Sequence, residues 1–184
     1  MLHILPCGNL GSLEHKLALL AINGIDKKNG RFFFEDSGHL RRLNTEQMNL
    51  LANRFGFHLC KEYYAGHYWW NIEVDTNNPK FTLELTNSKI ARDEKSKTEL
   101  KRLRKRLLLI AILRFPAVAF EGRKPWRLKD SRRLLENLIL GTLYLFSFPL
   151  NFFIKRRVEQ EWNLCKNQKN GSAMYLFYKR NLSQ

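Results

Sequence analysis

Between Glu35 and Arg42 the chain gathers two carboxylates, one imidazole and two guanidinium groups, in the run Glu35-Asp-Ser-Gly-His-Leu-Arg-Arg42. A histidine with a pKa near its ordinary value, set beside carboxylates, can act as a general base. His39 is therefore the candidate catalytic residue. The structural alternative is that Asp36 and His39 only shape a loop while Arg41 pairs at the surface. No other reactive pattern competes with this one. The chain has no Gly-x-Ser-x-Gly elbow, no His-Glu-x-x-His helix and no P-loop. Cys7, Cys60 and Cys165 are odd in number and far apart, with no Cys/His pairing at metal-ligand spacing. They read as reduced thiols, and Cys60, lying in a strand, is expected to be buried.

The elements that must position this run follow it directly. Asn44 stands where a helix N-cap belongs, and Gln47 comes three residues later, a capping-box spacing. Met48, Leu51 and Phe55 recur on one stripe, which predicts an amphipathic helix over 45–55. Gly56 falls where a left-handed C-terminal cap is needed. Phe57 to Tyr64 is rich in β-prone residues and predicts a strand over 57–64.

The same stretch, FFFEDSGHLRRLNTEQMNLLANRFGF, resembles the region after the core of class I S-adenosylmethionine-dependent methyltransferases. There an acidic residue and a Gly-His-x-Arg turn precede a helix ending in Gly-Phe. The matching positions are Asp36, Gly38, His39, Arg41 and Arg42, then Leu50, Leu51, Gly56 and Phe57. By this resemblance Leu2–Leu5 corresponds to strand five, 57–64 to strand six, and the apolar run of 171–180 to an antiparallel strand seven. The resemblance thus implies an α/β fold: a partial Rossmann-like sheet of strands 5, 7 and 6 with a helical insertion. Residues 1–64 and 171–184 would form the core part, and 65–170 the insertion. It also implies that Asn9, Glu35, Asp36, His39 and Arg41 face the methyl acceptor. In the full family S-adenosylmethionine sits on a Gly-rich turn after strand one, held also by an acidic residue ending strand two. Gly8 and Gly11 have neither the spacing nor the position of that turn. No cofactor is expected for this chain alone, and methyl transfer would need a partner carrying the missing half. A strand five without its neighbour would leave an open edge, so self-association is expected.

Elsewhere the chain reads mainly as helix. Ser12 can cap a helix carrying Leu13, Leu17 and Leu20, on which His15 is expected to be exposed. Phe81–Leu85 alternates and could form a short strand. Ala91 to Leu113 is helical by composition, with Leu100, Leu103, Leu107 and Ile110 on one stripe. A second helix is predicted from about Asp130 to beyond Tyr144. Its tail, Leu138–Ile154, runs 17 residues without a charge, somewhat under the ~20 a bilayer span requires. A buried or interfacial helix pair is the expectation, and a small membrane-associated protein that uses 138–154 as a span is the alternative.

At 184 residues the chain can form a single domain with a real core. Its net charge is +15, and residues 92–133 hold 15 Lys/Arg against 5 Asp/Glu, so most of the excess is local. That block suits an anionic partner. An anionic membrane surface is one such partner. Nucleic acid is the weaker alternative: Trp69, Trp70 and Trp126 could stack on bases, but core packing accounts for them as well. The N-terminus lacks a basic region ahead of a long apolar run, so no secretory signal is read and the expected location is cytoplasmic or peripheral to a membrane.

Overall fold

The computed structural model describes residues 2–6, 11–35, 41–122 and 134–180. In chain order these form β1 (Leu2–Pro6), α1 (Leu13–Leu20), α2 (Thr45–Arg54), β2 (Phe57–Ala65), α3 (Trp69–Asn77), α4 (Pro79–Leu85), α5 (Glu94–Glu121), α6 (Leu134–Cys165) and β3 (Ala173–Arg180). A single 3-10 turn, Ser88–Ile90, leads into α5.

The expected partial Rossmann-like sheet with a helical insertion is not what the chain forms. Helices make up most of the described residues. The three strands are ordered β1-β3-β2, and both ladders are antiparallel. A Rossmann-like sheet is largely parallel, with strands joined by crossover helices, whereas here a small antiparallel sheet stands beside a mostly helical body. Nor is 65–170 an appendage, because it supplies α3 to α6 and most of the larger core. That core joins Leu13 and Leu17 of α1, Ile72 of α3, Leu85 of α4, Leu100 and Leu107 of α5 and Ile154 of α6. Each such burial contributes ~1.5–3 kcal/mol.

The smaller core lies between α2 and one face of the sheet. Met174, Leu176 and Tyr178 alternate along β3 and meet Tyr64, Met48 and Ala52. The other face carries Tyr63, Tyr175 and Phe177, and Trp162 of α6 packs on it. The start of α2 is built as its sequence predicts. The Asn44 side chain accepts from the Gln47 N–H at 2.9 Å, and the Asn44 N–H donates to Gln47 Oε1 at 3.0 Å. Gly56 sits at φ +74° and ends the helix.

Several local expectations need correction. Phe81–Leu85 is helical: Pro79 starts α4, and the Asn78 side chain accepts from the Phe81 N–H. His15 is buried, packed near Phe32, with its Nδ1 accepting from the Gly11 N–H. Cys60 is exposed, because β2 bulges there: Leu59 pairs with Tyr178 and Lys61 with Phe177, leaving Cys60 out of register. Helix α5 runs on through Pro116 to Glu121. Packing of Phe120 on Tyr144 and hydrogen bonds from Arg114 to Asn151 hold the segment beyond the proline against α6.

Candidate functional site

Of the residues expected to face a substrate, Asn9, Asp36 and His39 lie outside the described residues. Glu35 and Arg41 do not come together as a reactive pair. Glu35 is tied down: Oε1 accepts from Arg42 Nε at 2.6 Å and Oε2 from the Phe32 N–H at 2.7 Å. Arg42 also reaches Glu14 at 3.1 Å and lies over the Phe32 ring, 4.2 Å from its centroid. Burial pushes the Glu14 carboxyl up, against the pull of Arg42. This buried ion pair clamps the loop 31–35 onto α1 and α2. Arg41 is exposed. Glu35 therefore does structural work, and the guanidinium with a defined task is Arg42.

The feature that stands out is the helix pair α5–α6. The two helices run against each other, linked by Arg114 Nε and Nη2 donating to Asn151 Oδ1 at 3.1 and 2.9 Å. Arg114 Nη1 also donates to the Glu73 carbonyl, so α3 braces the pair from one side. Asn151 in turn donates to Glu121, which takes an ion pair from Lys155 at 2.6 Å. This polar clasp fixes the base of the hairpin.

Beyond the clasp the surface is apolar. Ten exposed Leu, Ile and Phe side chains lie on α6 between Leu134 and Phe153, with Phe146 at 80% and Leu135 at 72% exposure. Leu109, Ile112, Leu113 and Phe115 add to them from α5. A soluble monomer rarely leaves more than about 300–600 Å² of contiguous apolar surface uncovered. α6 is long and apolar enough to cross a membrane, and only 17% of its most apolar window is buried. Of the two alternatives expected for this segment, a buried or an interfacial helix, the exposure of its apolar side chains disfavours the buried one.

Exposed cations flank the apolar zone at one end. Lys101, Arg102, Lys105 and Arg106 are exposed on α5, and Arg156 and Arg157 on α6. Because the helices are antiparallel, these groups share one end. In sequence, residues 123–133 between α5 and α6 hold Arg123, Lys124, Arg127, Lys129, Arg132 and Arg133. From Leu134 to Ile154 the helix rises about 31 Å at 1.5 Å per residue.

No family model, curated protein or solved structure matches this chain.

Proposed function

We propose that the protein is a membrane-surface module whose α5–α6 hairpin seats in one leaflet of an anionic bilayer. The carrying observation is the uncovered apolar surface of α6, with exposed basic groups at one end and the basic run 123–133 preceding it in sequence. Apolar burial in the acyl boundary and attraction to anionic headgroups would add, as they do for interfacial helices. Basic residues on both sides of the apolar run in sequence give no side preference of the kind that orients a spanning helix. Both ends reach headgroups of the same leaflet when the hairpin lies along the surface. Flotation of the wild-type chain with phosphatidylcholine vesicles, with and without phosphatidylglycerol, tests this reading. Binding is expected on the anionic vesicles and weakens with salt.

A second reading concerns a partner chain. The outer edge of β1 pairs with no strand among the described residues, and such an edge accepts a strand from elsewhere. Together with the resemblance of 32–57, this supports a chain that completes a methyltransferase whose cofactor-binding half lies in another polypeptide. It does not require the Rossmann-like sheet within this chain. On this reading calorimetry finds no saturable S-adenosylmethionine binding by the chain alone, and co-expression with a complementary half raises its soluble yield. Micromolar binding by the isolated chain would contradict it.

A further inference from the structure

A cavity of about 430 Å³ opens between α3, α6 and the sheet, apart from the apolar hairpin surface. Its walls include Trp70 of α3, Trp162 of α6 and Tyr175 of β3. The rings are fixed in place. Trp162 is edge-on to Tyr175 with centroids 5.6 Å apart, and also packs on Tyr63, the cross-strand neighbour of Tyr175, at 6.1 Å. Trp70 lies against Gly66: a Cβ there would come within 2.9 Å of the indole and 2.1 Å of Ser172 Oγ. Gly66 also sits at φ +73°, so only glycine leaves the indole where it is.

The lining is acidic in a chain whose net charge is +15. Glu73, Glu159 and Glu161 line it against Lys155 as the one Lys or Arg. Their roles differ. Both oxygens of Glu161 are used on the start of α3, accepting from the Tyr68, Trp69 and Trp70 N–H groups at 2.8, 2.6 and 3.3 Å. Lys155 is neutralised by Glu121. Glu73 stands 4.0 Å from Arg114, and Glu159 has no ion-pair partner among the described residues. The negative charge left for a ligand is therefore at the rim, on Glu159 and in part on Glu73.

We infer that this cavity binds the head of a quaternary ammonium compound. Aromatic walls attract a cation through their π faces, and a carboxylate rim adds long-range attraction. A primary ammonium would need several hydrogen-bond acceptors, and the most buried carboxylate here, Glu161, is already saturated by backbone donors. A trimethylated nitrogen needs none. The cavity lies in the size range of small-molecule sites, with room for more than the head group.

Calorimetric titration of the full chain with choline tests this, using 3,3-dimethylbutan-1-ol as the neutral isostere of the same shape. Choline is expected to saturate, and the isostere to bind at least ~10-fold more weakly, because only the cation gains from the π faces. Glu159→Gln removes an exposed rim charge and should weaken choline binding by about 3-fold, with unchanged circular dichroism. Monomeric dihexanoylphosphatidylcholine distinguishes the source of the head group. Binding as tight as choline assigns the site to a lipid head, and loss of binding with choline retained assigns it to a free cation. Equal binding of choline and the isostere, or no saturation by choline in the folded protein, would overturn the inference. None of these readouts needs a membrane, so they stand or fall independently of the hairpin.

Discussion

Phe146→Asp lowers partition of the chain onto anionic vesicles by about 30- to 100-fold while leaving its melting temperature nearly unchanged. Phe146 is 80% exposed and touches no core cluster, so folding loses almost nothing. Exchanging a phenylalanine for an aspartate within a membrane-seated helix costs roughly 3 kcal/mol of insertion free energy, reduced towards the headgroups. The same exchange at Leu50, which is exposed on α2 away from the hairpin, is expected to leave partition unchanged. Vesicle flotation measures both. Equal loss from the two substitutions would mean that the apolar surface of α6 is not the seat of binding.

Asp75→Asn raises the melting temperature by about 5–10 °C near pH 7.5 and by much less near pH 4. Asp75 is fully buried in α3, and neither carboxylate oxygen has a hydrogen-bond partner among the described residues. Burial, helped by the nearby Glu14 carboxylate, pushes its pKa from 3.8 up to about 8. The direction of the effect follows from linkage. Below pH ~4 the group is protonated in both folded and unfolded chains, and burial then carries no ionisation penalty. Between that point and pH 8 the unfolded chain gives up the proton while the folded chain keeps it, so stability falls across this window. The accumulated loss is roughly 5 kcal/mol. Asparagine does not ionise, so the difference between variant and wild type should grow from pH 4 to pH 8 and then level off. Its unpartnered amide cancels part of the gain, by about 1–3 kcal/mol. Scanning calorimetry over a pH series reads the difference, and a constant offset at every pH would contradict the assignment.

Where the sequence carried a local signal, the elements were legible. Asn44 and Gln47 marked the start of α2, Gly56 its end, and the apolar run of 171–180 foretold β3, though not which of its residues face α2. Expectations failed where tertiary contacts override local preference. The alternation of Phe81–Leu85 looked like a strand, but Pro79 and the Asn78 cap impose a helix. The helix read over Ala91–Leu113 runs on through Pro116 to Glu121, because Arg114 and Phe120 are held by α6. Cys60 has a strand-like context, and only the pairing register reveals the bulge that exposes it. The sheet itself was misjudged at the level of the fold. Three strand-like segments fit a Rossmann-like expectation, but strand propensity does not say how large a sheet they join, and they form a small antiparallel sheet beside a mostly helical body. For the candidate site, the basic block and the apolar tail were both visible in the sequence. Their placement on one antiparallel hairpin with an uncovered surface was not, because that depends on the clasp of Arg114, Asn151 and Glu121. The cavity between Trp70, Trp162 and Tyr175 had no sequence signal, since its walls come from three segments far apart in the chain.

Flotation of the wild-type chain tests the central claim most directly. It is run with phosphatidylcholine vesicles, with and without phosphatidylglycerol, from about 0.05 to 0.5 M salt. The hairpin reading predicts strong binding to the anionic vesicles at low salt and partial release as screening removes the contribution of the basic ends. It predicts a residual salt-resistant fraction from the apolar surface of α6. A chain that stays with the soluble fraction at every salt concentration, or binds both vesicle types equally without salt dependence, would contradict it.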